Sequence, residues 1–207
     1  MNLRLFPLNL VPFPGQALNL HIFEPRYKQL IQECLAEGES FGIPSYIQNT
    51  IEYGVEMLIT SVEKTYEDGR MDIKTVGRRV FKVEKFNAIA PGKLYSDGSV
   101  HFLENRLDQH AEGQAIFTEF LHKLFSLMQL DQKIGIHPKI TSFEIAHKMG
   151  LTLQQEFELL KLASESERQN YLIAHIKAAL PILEQMKRAK AVIKMNGHFR
   201  YFNPLDY

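Results

Sequence analysis

The sequence predicts an α+β fold: a curved sheet or partly open barrel with one early helix, followed by a C-terminal helical bundle. Three observations predict it. Short apolar runs broken by proline, glycine and Asp-Gly pairs fill the chain to about residue 105, as in a compact β-rich unit. Near residue 106 the apolar period changes from that of a strand to that of a helix. Beyond it, a Ser or Thr repeatedly stands three residues before a Glu or Gln, the signature of a capped helix start. The division expected from these signals is a β-rich unit at 1–105, a helical unit at 106–195 and an aromatic tail at 196–207.

Leu3 to Leu10 is a short apolar strand, turned by Pro12-Phe13-Pro14-Gly15, and Ala17 to Ile22 is a second. Pro25 stands where a helix begins, because the first helical N–H has no partner to lose. Leu30, Ile31, Cys34 and Leu35 follow at helical spacing, and Gly38 is the natural stop. Phe41 to Ile47 resumes extended character. Val55 to Tyr66 and Met71 to Val76 flank Asp68-Gly69, which predicts a hairpin with a type I′ turn. Gly77 then marks a turn or bulge before a further strand, Val80 to Phe86. Asp97-Gly98 predicts a second hairpin, between Lys93–Tyr95 and Val100–Leu103.

In the second half, Ile116, Phe117, Phe120, Leu121, Leu124, Phe125 and Met128 make a broad helical stripe within 110–130. Thr141/Glu144, Thr152/Gln155 and Ser164/Glu167 are capping boxes, and Gly150 fits a helix end. Pro181 lies inside the last helix, where it removes a hydrogen bond and is expected to kink or divide it.

Charge narrows the function classes. Among 207 residues, 24 Lys and Arg offset 24 Asp and Glu. A protein built on phosphate contacts shows a basic surplus, so nucleic acid is disfavoured as a partner. Cys34 is the single cysteine, which excludes an intramolecular disulfide and a thiolate metal cluster. Pro7, Pro12 and Pro14 interrupt the N-terminal apolar run before it could act as a secretory signal, and no apolar run is long enough to span a bilayer. A cytoplasmic protein with no membrane partner is expected.

Leu5-Phe6-Pro7-Leu8, Val11-Pro12-Phe13-Pro14-Gly15 and Leu20-His21-Ile22-Phe23-Glu24-Pro25-Arg26-Tyr27 resemble the opening of the Lon protease N-terminal, substrate-binding domain family. Gly54 to Ile59, Asp68-Gly69-Arg70 and Val76-Gly77-Arg78-Arg79-Val80-Phe81 resemble its central strands in order and spacing. Ser142 to Ala146, Leu151 to Leu153, Phe157 to Leu162 and Arg168 onward resemble its helical part. Gly54-Val55 departs from the more usual Gly-Thr, and 196–207 has no counterpart. The resemblance implies a PUA-like β-rich subdomain before a helical one, in a stand-alone form without the ATPase and protease domains. It further implies a module that captures or presents unfolded or tagged proteins for proteolysis, with a protease as a further partner. The alternatives are a PUA-like RNA-binding module and a small-molecule sensor.

Catalytic signatures are absent from the sequence. Gly92-Lys93-Leu94 lacks the first glycine and the hydroxyl of a phosphate-binding loop, and no segment resembles a Ser–Lys peptidase domain. Neither ATPase nor peptidase activity is expected, nor any cofactor. The eight histidines form no His-Glu-x-x-His, and His101, His110, His122 and His137 fall on separate elements, so no metal ligand is assigned. Arg26 reads as a loop anchor, and Arg78 and Arg79 as a solvated face. Candidate protein-binding residues are Tyr46, Ile47 and Tyr53 in the first half and Phe199, Tyr201 and Phe202 in the tail. The tail is read as a cover that folds back on the body; a partner-binding arm is the alternative.

Overall fold

The computed structural model describes residues 1–130 and 134–198, the last eight by backbone alone. Strands β1 (Asn2–Leu5), β2 (Ala17–Ile22), β3 (Phe41–Ile47), β4 (Thr50–Thr65), β5 (Met71–Asn87) and β6 (Ser96–Phe102) form one sheet, with helix α1 (Pro25–Glu37) between β2 and β3. The helices that follow are α2 (Ala111–Met128), α3 (Ser142–Ile145), α4 (Leu153–Lys161) and α5 (Glu165–His198), with a 3₁₀ turn at Ala146–Lys148. Two compact units result. One joins Met1–Asp108 to Thr141–Arg168; the other joins Gln109–Ile140 to the chain from Gln169 onward.

The sheet runs β2-β5-β4-β3-β1-β6, and β6 also pairs with β5, so five strands close on themselves and β2 lies outside the ring. Closure buries Leu3, Leu5, Phe81 and Val100 against one another. Glycines permit the close approaches. A Cβ on Gly54 would lie 2.4 Å from the Ile43 carbonyl oxygen, and one on Gly98 would lie 2.3 Å from that of Lys85.

That crowding explains why Asp97-Gly98 is not a turn. Both residues lie inside β6, where Asp97 faces Arg4 on one side and Asn87 on the other. Glycine serves here to admit a neighbouring backbone, and the chain instead turns at Gly92, whose φ is 73°. The other Asp-Gly pair does turn the chain, with a different geometry. Among the described non-glycine residues positive φ occurs at Gln48, Asn49 and Gln129, not at Asp68. The Gly69 N–H donates to the Tyr66 carbonyl and the Tyr66 N–H to the Arg70 carbonyl, making a three-residue loop with Gly69 at φ 78°. The two strands expected on either side of Gly77 are one strand, β5. A register shift opposite Val55 and Met57 marks the irregularity, and Gly77 exchanges hydrogen bonds with Gly15 and Gln16.

Helix α1 starts at Pro25 and stops at Gly38, with φ 68° there, and buries Tyr27, Leu30, Ile31 and Cys34. Thr152 caps α4 as a reciprocal box with Gln155. Thr141 donates its N–H to the Glu144 carboxylate at 3.1 Å. Helix α5 is neither divided nor ended by Pro181. Lys177, four residues earlier, is exposed, so water can satisfy its carbonyl, which loses the donor.

The start of α5 is held from a distance in sequence. Asp108 Oδ1 accepts from Ser164 Oγ at 2.9 Å and from the Ser166 N–H at 3.1 Å. The Ser166 amide, then the Ser164 hydroxyl, hold the Asp108 carboxyl down at about 2. Its contribution to stability is therefore present above the ordinary aspartate value and is lost as pH falls from 3.8 toward about 2. Acid unfolding followed by circular dichroism should show this. Asp108→Asn is expected to be less stable than wild type at neutral pH, with the difference closing across that window. A difference independent of pH would contradict the assignment.

Candidate functional site

Two exposed aromatic groups lie on the sheet unit. The first is carried by the hairpin between β3 and β4. Gln48 and Asn49, at φ 50° and 63°, supply the paired positive dihedrals of a type I′ turn, and Ile47 pairs with Thr50 across it. Asparagine tolerates this region better than most side chains. Tyr46 Oη donates to Asn49 Oδ1 at 3.1 Å, which holds the ring over the turn with 43% of the residue exposed.

Neighbouring strand residues point to opposite faces, and this separates the expected pair. Tyr46 faces out, whereas Ile47 is 6% exposed and belongs to the core. Tyr53 is half-buried: its ring meets Phe157 of α4 edge-on at 6.0 Å, with the Lys82 ammonium 5.9 Å from its centre. It thus packs the sheet against α4 and leaves only part of its ring to solvent. Phe199, Tyr201 and Phe202 lie outside the described residues.

Further along β4, Glu56 is a buried carboxylate that receives Arg79 through two hydrogen bonds, at 2.7 and 3.1 Å, and the Ser40 hydroxyl at 2.7 Å. Burial alone would raise Glu56, but Arg79 and Ser40 outweigh it and hold the carboxyl below its usual value. Arg79 also lies 3.7 Å over Phe102. It is a structural clamp, while Arg78 is solvated.

The second group was not anticipated. His21 at the end of β2 approaches Phe23 at 6.0 Å and Tyr66 at 5.8 Å between ring centres. Asp72 joins them, 2.6 Å from His21 Nδ1 and accepting from Tyr66 Oη at 2.8 Å. Those two bonds, His21 first, hold the Asp72 carboxyl below its usual value, and the bond to Asp72 raises the Tyr66 phenol. Lys64 and Arg70 lie 4.4 and 4.9 Å from the Tyr66 ring centre. Phe23, 58% exposed, is the most open aromatic of the set. Its signal in the sequence was a phenylalanine standing between a strand and a helix start, where no core face calls for one.

Elsewhere on this unit a cleft of roughly 420 Å³ is bordered by Arg4, Glu37, Lys93, Tyr95 and Asp97. Its charges satisfy one another: Arg4 pairs with Glu37, and Lys93 with Glu33. Few apolar walls line it, unlike most small-molecule sites. Burial pushes the Cys34 thiol up to about 11, which leaves it protonated and unreactive at neutral pH. Among the described residues, no three His, Cys, Asp or Glu side chains gather as a metal-binding set, and no helix is long and apolar enough to cross a membrane.

The family described as the ATP-dependent protease La (LON) substrate-binding domain matches residues 2–188. Among solved structures, a Lon N-terminal domain protein from Xanthomonas campestris is similar at a TM-score of 0.67 and 26% identity, over 84% of this chain and 98% of that one. The N-terminal domain of Lon protease from the Mycobacterium avium complex is similar in fold, with a TM-score of 0.69 at 14% identity, over 86% and 98% of the respective chains.

Proposed function

This chain belongs to the LON substrate-binding domain family, and on that premise we propose that it is a non-catalytic protein-binding module that captures unfolded or tagged proteins and presents them for proteolysis. The family match over 2–188 is the observation that carries the reading. The surface chemistry supports it. Tyr46 and Tyr66 offer amphipathic rings and Phe23 an apolar one, side chains well suited to contacting varied polypeptides. Several cations of the sheet unit are engaged by carboxylates: Arg26 by Glu24, Arg70 by Asp68, Lys74 by Glu63 and Arg79 by Glu56. Cations held by carboxylates have less to offer a phosphate backbone, and with a net charge of zero this favours polypeptide over RNA.

The test is fluorescence anisotropy with labelled, reduced and carboxymethylated α-lactalbumin, its native form and a single-stranded RNA. Saturable binding of the unfolded protein is expected, with the native form at least about tenfold weaker, a difference of about 1.4 kcal/mol. RNA binding should be weak and fall steeply with salt. Sequence-selective, submicromolar RNA binding at physiological salt, without capture of the unfolded protein, would reverse the assignment.

A further inference from the structure

Strand β2 is the one strand left outside the closed part of the sheet, paired with β5 alone. Its ladder is regular from Ala17 opposite Val76 to Ile22 opposite Met71, with no register shift. In an antiparallel pair, alternate residues turn their N–H and C=O toward the partner. The Gly77 N–H donates to the Gln16 carbonyl, which fixes the phase: Leu18, Leu20 and Ile22 bond toward β5. Ala17, Asn19 and His21 therefore aim their backbone groups away from the sheet, and no backbone partner meets them among the described residues.

The same sheet has another open edge, and the contrast is informative. Beyond Met57, β4 pairs only with β5, but that stretch carries two register shifts and the charged pair Glu63 and Lys64. Bulges and charges are the usual means of keeping an edge from accepting a foreign strand. The β2 edge has neither: Ala-Leu-Asn-Leu-His-Ile contains no Lys, Arg, Asp, Glu or Pro. Leu18 and Leu20 share a face with the buried Ile22 yet are themselves only half-buried. A strand laid beside β2 with apolar side chains at alternate positions would complete their burial. Phe23, exposed just beyond the strand, adds an open ring beside His21 on the other face.

We infer that the outer edge of β2 is a strand-addition site, where an extended segment with apolar residues at every second position pairs through Ala17, Asn19 and His21. This rests on the protein-binding reading and supplies its mode of recognition. Main-chain hydrogen bonds make affinity largely independent of sequence, and alternate side chains add a preference for the apolar strands that unfolding exposes. A helix cannot satisfy these groups, because its own backbone is already paired.

The experiment uses the full chain and a short fluorescein-labelled peptide of alternating valine and threonine with terminal lysines. A second version is N-methylated at alternate amides in one register, and a third in the other. One methylated register should bind about tenfold or more weakly, since it alone removes the facing donors, while the other retains affinity. Asn19→Pro removes an outward N–H that β5 does not use, and a proline is tolerated at such an edge position. It should weaken both the peptide and the carboxymethylated lactalbumin by a similar factor, with the melting temperature nearly unchanged. Asn19→Lys, which restores a guarding charge, should do the same and serves if the proline variant fails to fold. Equal binding of all peptides and of both variants, with lactalbumin capture intact, overturns the edge site and leaves the protein-binding reading standing. Absence of lactalbumin capture by the wild type overturns that reading itself. A concentration-dependent dimer abolished by either variant would assign the edge to a second copy of the chain and overturn the proposal.

Discussion

Arg168→Ala is expected to lower the unfolding free energy by about 3–5 kcal/mol, a large part of a single domain's stability. Arg168 is 1% exposed. Its guanidinium donates to Glu165 at 2.8 and 3.1 Å, to Ser142 Oγ at 2.9 Å, to the Leu162 carbonyl at 2.7 Å and to Asn105 Oδ1 at 2.7 Å. It also lies 4.1 Å over the Phe143 ring. Burial, the dominant influence, lowers its pKa, although Glu165 acts against it. The arginine thus joins the end of the strand segment, α3, the end of α4 and the first turn of α5. Removing it leaves the Glu165 carboxylate buried without the Arg168 counter-charge, although Ser142 still donates to it through its N–H and hydroxyl, both at 2.7 Å. The cost comes mainly from that stranded charge. Arg168→Met combined with Glu165→Gln should accordingly cost much less than Arg168→Ala. Urea titrations of the three proteins decide it, and a loss below about 1 kcal/mol for Arg168→Ala would show that the network is not what holds the segments.

Phe81→Ala is expected to cost about 3–5 kcal/mol, through lost burial and the cavity left inside the closed sheet. Phe81 is fully buried and meets Phe102 edge-on at 6.3 Å. Two glycines on β3 and β4 make room for it: an added Cβ would lie 2.9 Å from its ring at Gly42 and 2.7 Å from it at Gly54. The neighbours differ at these two positions, so the double mutants should differ as well. At Gly42 the close atoms all belong to side chains, those of Leu3, Leu5 and Phe81. Gly42→Ala should therefore be partly rescued by Phe81→Ala. At Gly54 the Ile43 and Pro44 backbone stands at 2.4 and 2.5 Å, so no rescue is expected there. Equal rescue at both positions would contradict the packing.

These two sites also show what local sequence carries and what it does not. Strands β2 and β3 were legible to the residue because apolar alternation and proline or glycine punctuation coincide at their ends. Helix α1 was legible from Pro25 and Gly38, which act on the backbone within a turn of themselves. Asp97-Gly98 misled because a glycine admitting a neighbouring strand and a glycine making a turn look alike until the neighbour is known. The Gln48-Asn49 turn carries no glycine, so Asn49 was the one weak marker of its positive dihedrals. The Arg168 cluster draws on residues from Asn105 to Arg168, a separation that periodicity cannot span. For the candidate surface, Tyr46 was legible as an exposed aromatic. Grouping Ile47 with it neglected the strand's two-residue alternation. The group around His21, Phe23 and Tyr66 was hidden because its members meet only when β2 pairs with β5.

Isothermal titration calorimetry of the chain with reduced, carboxymethylated α-lactalbumin at several temperatures tests the protein-binding role most directly. Capture of an unfolded polypeptide buries apolar surface, so saturable binding with a negative heat-capacity change is expected, and native lactalbumin should give no comparable heat. Binding that is absent, or equal for native and unfolded lactalbumin, would contradict it.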